Sequence, residues 1–342
     1  MSKLYELVQQ YCPNGVDFKP IKEVYQRLKG TPITAAKMKE IENADGEVRI
    51  FAGGKTVIDA HEEDIPKANI TRVPAVLIQS RGVIDAVYYE KPFTFKNEMW
   101  AYTHENKIAV KFLYYVLKNN MEKFREAASG MGSLPQISLR VTEDFEMPVP
   151  PLEVQSEIVR ILDNFTELTA ELTAELAARE KQYEYYRNRL LNFGDNVEWK
   201  TLGNIGRVAM CKRILKSQTT STGDVPFYKI GTFGKKADAF ISKELFLEYK
   251  EKYSYPKKGS ILISAAGTIG RTVIYDGKPA YYQDSNIVWL EHDETVVLNK
   301  YLLYCYQLKP WSVSYGGTIS RLYNDDIQKA KIPVPSLSEQ QR

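Results

Sequence analysis

The sequence predicts an α+β fold: two copies of one domain with mostly antiparallel, curved sheets, joined by a long α-helix. Three observations predict it. Residues 146 to 158 read E-M-P-V-P-P-L-E-V-Q-S-E-I and residues 331 to 342 read K-I-P-V-P-S-L-S-E-Q-Q-R, which sets Pro148 on Pro333, Val149 on Val334, Pro150 on Pro335, Leu152 on Leu337 and Gln155 on Gln340 without a gap. Further segments upstream match in the same order. Between the two copies lies the longest helix-period pattern of the chain.

The elements follow in order. Val16, Asp17, Phe18, Lys19, Pro20 and Ile21 answer Val197, Glu198, Trp199, Lys200, Thr201 and Leu202, an alternating, strand-like opening in both copies. Residues 78 to 84, I-Q-S-R-G-V-I, parallel residues 263 to 269, I-S-A-A-G-T-I, and residues 86 to 92 parallel 271 to 279. Each strand pair therefore turns at a matching glycine, Gly82 or Gly267, where backbone freedom is needed more than a side chain. Residues 111 to 117 then match 300 to 306, a short amphipathic helix in each copy. The repeat unit is a whole domain of about 185 residues, far beyond the 20 to 50 of a solenoid unit.

Residues 151 to 191 read as one helix. Its apolar seam, Ile158, Leu162, Phe165, Leu168, Leu172, Leu176, Tyr183, Tyr186 and Leu190, recurs at steps of three, four or seven. Pro151 suits the first turn and Gly194 the left-handed position that closes a helix. Forty-one residues at 1.5 Å rise span roughly 60 Å, and an apolar seam of that length calls for a covering helix packed as in a coiled coil. Residues 336 to 342 correspond to the first turns of the same helix, with no counterpart of residues 158 to 191 after them. The expected division is a first domain at 1–148, the spacer helix at 149–193, a second domain at 194–334 and the start of a truncated distal helix at 335–342. With its seam uncovered, the chain is expected to self-associate through the helix, antiparallel.

Composition narrows the function. At 342 residues there is room for two ordinary domains. The three cysteines, Cys12, Cys211 and Cys305, are scattered, so neither a disulfide framework nor a zinc site is expected, and a reducing cytoplasm fits. No window approaches 18 apolar residues, which argues against a membrane role. The net charge is +3, but residues 151 to 191 carry eight acids against five bases, leaving a positive excess on the two domains, as polyanion binding requires.

The chain shows no metal or cofactor site of its own. A methyltransferase acting on an exocyclic amine needs a glycine-rich cofactor loop and a tetrad such as N-P-P-Y, and a motor needs G-x-x-x-x-G-K-[ST]; neither is present. His61, His104 and His292 are isolated, with no H-E-x-x-H or triad spacing, and read as surface or capping residues. A magnesium nuclease would have to use Asp238 with Glu248 and Lys250, in a stretch that reads as a solvated helix face. What abounds is Tyr, 23 residues, with Lys, Arg, Ser, Thr, Asn and Gln in turn-like stretches, the side chains that read base edges and phosphates.

The opening Tyr11-Cys12-Pro13-Asn14-Gly15-Val16-Asp17-Phe18, the duplicated P-V-P-x-L-x-x-Q junctions and the helix ending Tyr185-Tyr186-Arg187-Asn188-Arg189-Leu190-Leu191 carry a resemblance. The chain resembles the specificity subunits of type I restriction-modification enzymes over nearly its whole length. The resemblance implies two target recognition domains, each reading half of a split, asymmetric double-stranded DNA sequence, held apart by two antiparallel conserved helices. It also implies partners: methyltransferase (modification) subunits that hold S-adenosylmethionine and restriction motor-nuclease subunits that hold ATP and Mg, with catalysis in those partners. The helix then acts as a ruler whose roughly 60 Å limits the target separation to about 18 base pairs. Local chemistry nominates Lys29, Thr31, Lys55, Ser80, Arg81 and Gln136 as DNA contacts in the first copy. In the second it nominates Lys212, Arg213, Lys235, Lys236, Ser264, Arg271, Thr318, Ser320 and Arg321. Two other readings stay open: a scaffold that recruits partners through the helix without touching DNA, and the nuclease at Asp238 and Glu248.

Overall fold

Short apolar runs broken by Gly, Pro and Asn form short strands in a computed structural model, which describes residues 2–66, 69–129, 134–194, 197–313 and 321–342. The first copy contains β1 (Phe18–Pro20), β2 (Gln26–Leu28), β3 (Val48–Phe51), β4 (Val57–Ala60), β5 (Ala75–Gln79), β6 (Asp85–Tyr89), β7 (Phe93–Phe95), β8 (Trp100–Thr103) and β9 (Glu146–Pro148). The second contains β10 (Trp199–Thr201), β11 (Arg207–Met210), β12 (Val225–Tyr228), β13 (Phe240–Ile241), β14 (Ile261–Ser264), β15 (Thr272–Ile274), β16 (Tyr281–Tyr282), β17 (Ile287–Glu291) and β18 (Lys331–Pro333). The chain divides into two compact units, Met1–Glu175 and Leu176–Arg342.

Both units have one topology. The first has an antiparallel sheet ordered β2-β8-β5-β6 and a small sheet ordered β4-β3-β7; the second has β11-β17-β14-β15 and β13-β12-β16. The sheets are mostly antiparallel as expected, but each small sheet contains one parallel pair, β3 with β7 and β12 with β16.

Side-chain alternation explains why the central strands are apolar throughout. On β5, Val76 and Ile78 pack with Val110, Leu113 and Leu117 of the helix Lys107–Asn119, whereas Ala75 and Leu77 pack with Phe51, Phe93 and Phe95 of the small sheet. On β14, Ile261 and Ile263 meet Tyr301, Leu302 and Tyr306 of the helix Asn299–Gln307, and Leu262 meets Phe227, Tyr281 and Trp289. A strand clamped on both faces needs apolar residues at every position. The first of these helices starts where Asn106 Oδ1 accepts from the Ile108 N–H at 2.8 Å, satisfying one of the unpaired donors of its first turn.

The Pro-Val-Pro junctions close each unit. β9 pairs antiparallel with β1, and β18 with β10. The one N–H that each junction possesses is used: Val149 donates to Asp17 O and Val334 to Glu198 O, both at 2.9 Å. Pro148 and Pro333 lack a donor and sit at the ends of two-stranded ribbons where none is missed. The following glutamines lock the corner, Gln155 Nε2 donating to Pro150 O at 2.7 Å and Gln340 Nε2 to Pro335 O at 2.9 Å.

The long helix spans Leu152–Leu190. Its first turns are docked, with Val154, Gln155, Glu157 and Val159 buried and Ile158 and Leu162 half-buried. Glu157 holds Arg160 at 2.6 Å and Lys3 at 3.5 Å. The Arg160 guanidinium, chiefly, holds the Glu157 carboxyl down to about 2. Because the folded value lies below the ordinary value of about 4.3, the contribution is complete above that pH and disappears as the pH falls through about 2. Glu157→Gln is therefore expected to lower the urea midpoint at pH 7 and to converge with the parent as pH falls from 4 toward 2; a deficit that persists unchanged at pH 2 would refute the pairing.

Candidate nucleic-acid interface

In the first unit the turn between β5 and β6 is built from Ser80, Arg81 and Gly82, with Gly82 at φ +77°. A distant segment is tied to it. The Ile137 N–H donates to Ser80 O and the Gly82 N–H to Pro135 O, both at 2.9 Å, and Arg81 forms a bridge with Gln136. Both side chains are exposed and lie side by side. Arg81, Gly82, Leu134, Lys96 and Glu98 line a cleft of about 530 Å³ with Gly53 and Gly54, next to which Lys55 stands exposed. Lys29, Asn97 and Glu98 border a second cleft of about 560 Å³. Glu98 is shared by both and pairs with Lys96 at 2.9 Å. Lys29, Arg81, Lys96 and Asn97 thus line two clefts that share Glu98.

The second unit repeats the framework with other side chains. The Leu322 N–H donates to Ala265 O at 2.9 Å, and Ala266 bridges Arg321, beside Gly267 at φ +66°. The Arg321 guanidinium donates to Ser285 O at 3.0 Å, and Arg213 donates to Asp284 at 2.9 Å, so these two arginines share one short segment. Arg271 donates to Phe233 O at 3.1 Å and to Thr268 Oγ1 at 3.2 Å, which sets it against the loop carrying the exposed Lys235 and Lys236. Lys212, next to Arg213 in the chain, has its ammonium 5.1 Å above the Tyr253 ring.

Three nominated residues are corrected. Thr31 is fully buried, its hydroxyl 2.7 Å from that of Thr94 and accepting from the Asn69 N–H. Ser80 is buried and donates to Glu98 O at 2.7 Å. Ser264 is buried, donating to Thr268 O and accepting from the Arg271 N–H at 2.9 Å. These hydroxyls shape the loops and face no solvent. Thr318 and Ser320 lie outside the described residues. Two acids that a reading of cations alone does not find also take part: Glu98 pairs with Lys96 and Asp284 with Arg213.

Asp238 pairs with Lys229 at 2.9 Å and Glu248 with Lys252 at 3.0 Å, and among the described residues no group of three His, Cys, Asp or Glu could hold a metal ion. His104 and His292 accept from local backbone N–H groups, and His61 lies 2.8 Å from Glu47, whose hydrogen bond raises the imidazole pKa. From Phe165 onward the helix seam is bare: Phe165, Leu168, Leu172, Leu176, Tyr183, Tyr186 and Leu190 are 47 to 70% exposed.

The two copies each match one family description, the type I restriction modification DNA specificity domain, over residues 13–179 and 195–342. The chain belongs to that family. It is 55% identical over 260 residues to a putative type I restriction enzyme specificity subunit of Haemophilus influenzae, a match covering 72% of this chain and 66% of that protein. It is 32% identical over 257 residues to a type I restriction enzyme specificity subunit of Escherichia coli, covering 70% and 62%. The chain thus spans somewhat under two thirds of the length of these relatives. The crystal structure of a type I restriction-modification S subunit from M. genitalium shares the fold, with a TM-score of 0.62 at 18% identity over 96% of this chain and 87% of that one.

Proposed function

We propose that this specificity-family chain reads a bipartite, asymmetric sequence in double-stranded DNA, one half by each repeat, and directs partner subunits to it without catalysing a reaction itself. One observation carries the reading. At matched positions, each beside an equivalent backbone bond from Ile137 N–H to Ser80 O or from Leu322 N–H to Ala265 O, the repeats present different side chains, Arg81 with Gln136 in one and Ala266 with Arg321 in the other. A common scaffold with divergent side chains, exposed at Arg81 and Gln136 and half-buried at Ala266 and Arg321, is what reading two unlike half-sites requires: Arg suits guanine edges, Gln suits adenine, and the surrounding lysines suit phosphates.

In this reading residues 1–148 and 194–334 are the target recognition domains, residues 149–193 set the spacing and residues 335–342 begin a second helix. Methylation by S-adenosylmethionine falls to modification subunits, and ATP- and Mg-dependent translocation and cleavage to restriction motor-nuclease subunits. The three cysteines are free and buried, which supports a reducing, cytoplasmic setting. Among the described residues no helix is long and apolar enough to cross a membrane. The bare seam supports self-association of the isolated chain.

The test is methylation-site sequencing after co-expression with the cognate modification subunit. A split asymmetric motif with a fixed spacer is expected; no methylated motif, with the complex assembled, overturns the reading.

A further inference from the structure

The β14–β15 hairpin carries its candidate contacts at the Gly267 turn. Its other end, about 13 Å along the strands, holds something different. There an open basin of about 780 Å³ collects Arg207, Lys250, Lys252, Lys257 and Lys258, with Glu291 as the one acid among its lining residues. Arg207 is engaged by Glu291 at 2.5 Å and Lys252 by Glu248 at 3.0 Å. Among the described residues Lys250, Lys257 and Lys258 have no carboxylate within 4.0 Å.

The wall behind these ammonium groups is rigid. Tyr255 donates to Ala280 O at 2.6 Å, Tyr275 donates to Lys278 O at 2.8 Å, and the two rings meet edge to face at 5.7 Å. Lys250 sits 5.2 Å above the Tyr255 ring. Gly277, at φ +91°, leaves room for the Lys258 stem, since a Cβ there would come within 3.2 Å of that chain's carbons. Like charges that line one basin repel one another, a cost that an anion would offset. The first repeat is built differently at this place. Its corresponding turn after β6 borders Glu47, Asp59 and Glu90 as well as Arg49 and Lys91, with Arg49 bonded to Asp59 at 2.8 and 2.9 Å. The basin is therefore not a requirement of the scaffold.

We propose that this basin is a phosphate-binding site, distinct from the loops of target reading, that takes the phosphodiester backbone of nucleic acid or a free polyphosphate. Lysine ammonium groups and the hydroxyls of Ser254 and Tyr253 suit an anion with several oxygens, and the basic side chains outnumber the single acid of the lining.

The test uses the full chain carrying Lys257→Gln and Lys258→Gln, with Lys107→Gln and Lys123→Gln as a matched control pair on the first unit. Each lost phosphate contact removes about 0.9 from the slope of log affinity against log salt, so binding to a non-target duplex should lose about 2 from that slope in the basin variant and less in the control. Calorimetry with sodium tripolyphosphate forms the second arm. A changed duplex slope assigns the basin to nucleic-acid backbone; tripolyphosphate binding that only the basin variant loses, with the slope unchanged, assigns it to a free polyphosphate. If neither readout moves, or if the variant loses only assembly with partner subunits, the proposal is wrong. A parent chain that binds tripolyphosphate here yet no duplex would fail the proposed DNA reading and leave the basin standing.

Discussion

Arg81→Ala is expected to relax one half of the methylated motif, costing about 1–3 kcal/mol of discrimination at a single base pair, and to leave the other half unchanged. The side chain is exposed and the loop beneath it is held by backbone bonds to residues 135 to 137, so the framework survives its loss. Arg321→Ala should act on the opposite half and also lower overall affinity, because Arg321 anchors its loop through Ser285 O. Thr31→Ala and Ser80→Ala provide the contrast. Each breaks a buried hydrogen bond and should lower stability by about 1–3 kcal/mol while leaving the motif as it was. Methylation-site sequencing of the four variants, with thermal melts alongside, separates the two effects. If Arg81→Ala altered both halves together, or neither, the division of reading between the repeats would be untenable.

The same contrast shows where the sequence stops being readable. The duplication was legible because identical junctions impose identical bonds: Val149 and Val334 use the one N–H of each Pro-Val-Pro, and the glutamines after them fold back onto a proline carbonyl. The helix expected over 151–191 is observed over Leu152–Leu190, since its period repeats many times. Its buried first turns were not legible. Val154 and Val159 face the core only because the unit docks there, and a seam traced by period alone runs straight past them. Thr31, Ser80 and Ser264 misled for a related reason: a hydroxyl in a turn looks the same in sequence whether it faces a phosphate or closes its own loop. Strand order was out of reach, because the parallel pairs β3–β7 and β12–β16 join segments whose local patterns carry no sign of direction.

Leu168→Glu with Leu172→Glu is expected to convert the isolated chain from a self-associated form to a monomer, read as mass by light scattering at micromolar concentration. Leu168 and Leu172 are 49 and 57% exposed, on a stripe that also includes Phe165, Leu176, Tyr183, Tyr186 and Leu190. Fully burying one such side chain contributes about 1.5–3 kcal/mol, so leaving seven of them half in water is a strong drive toward a partner. Charge selects the orientation. The stripe's first part carries Glu167, Glu171 and Glu175 with no base among them, and its last part Arg179, Lys181, Arg187 and Arg189 against Glu180 and Glu184, a net positive end. A second copy laid antiparallel sets acids beside bases, whereas a parallel one stacks like on like. Two glutamates at the seam would be desolvated on closure without partners, which costs more than the leucines contribute. Circular dichroism must show the helix intact in the variant. A parent chain already monomeric at that concentration, with its helix formed, would mean that the stripe is not covered by a second copy.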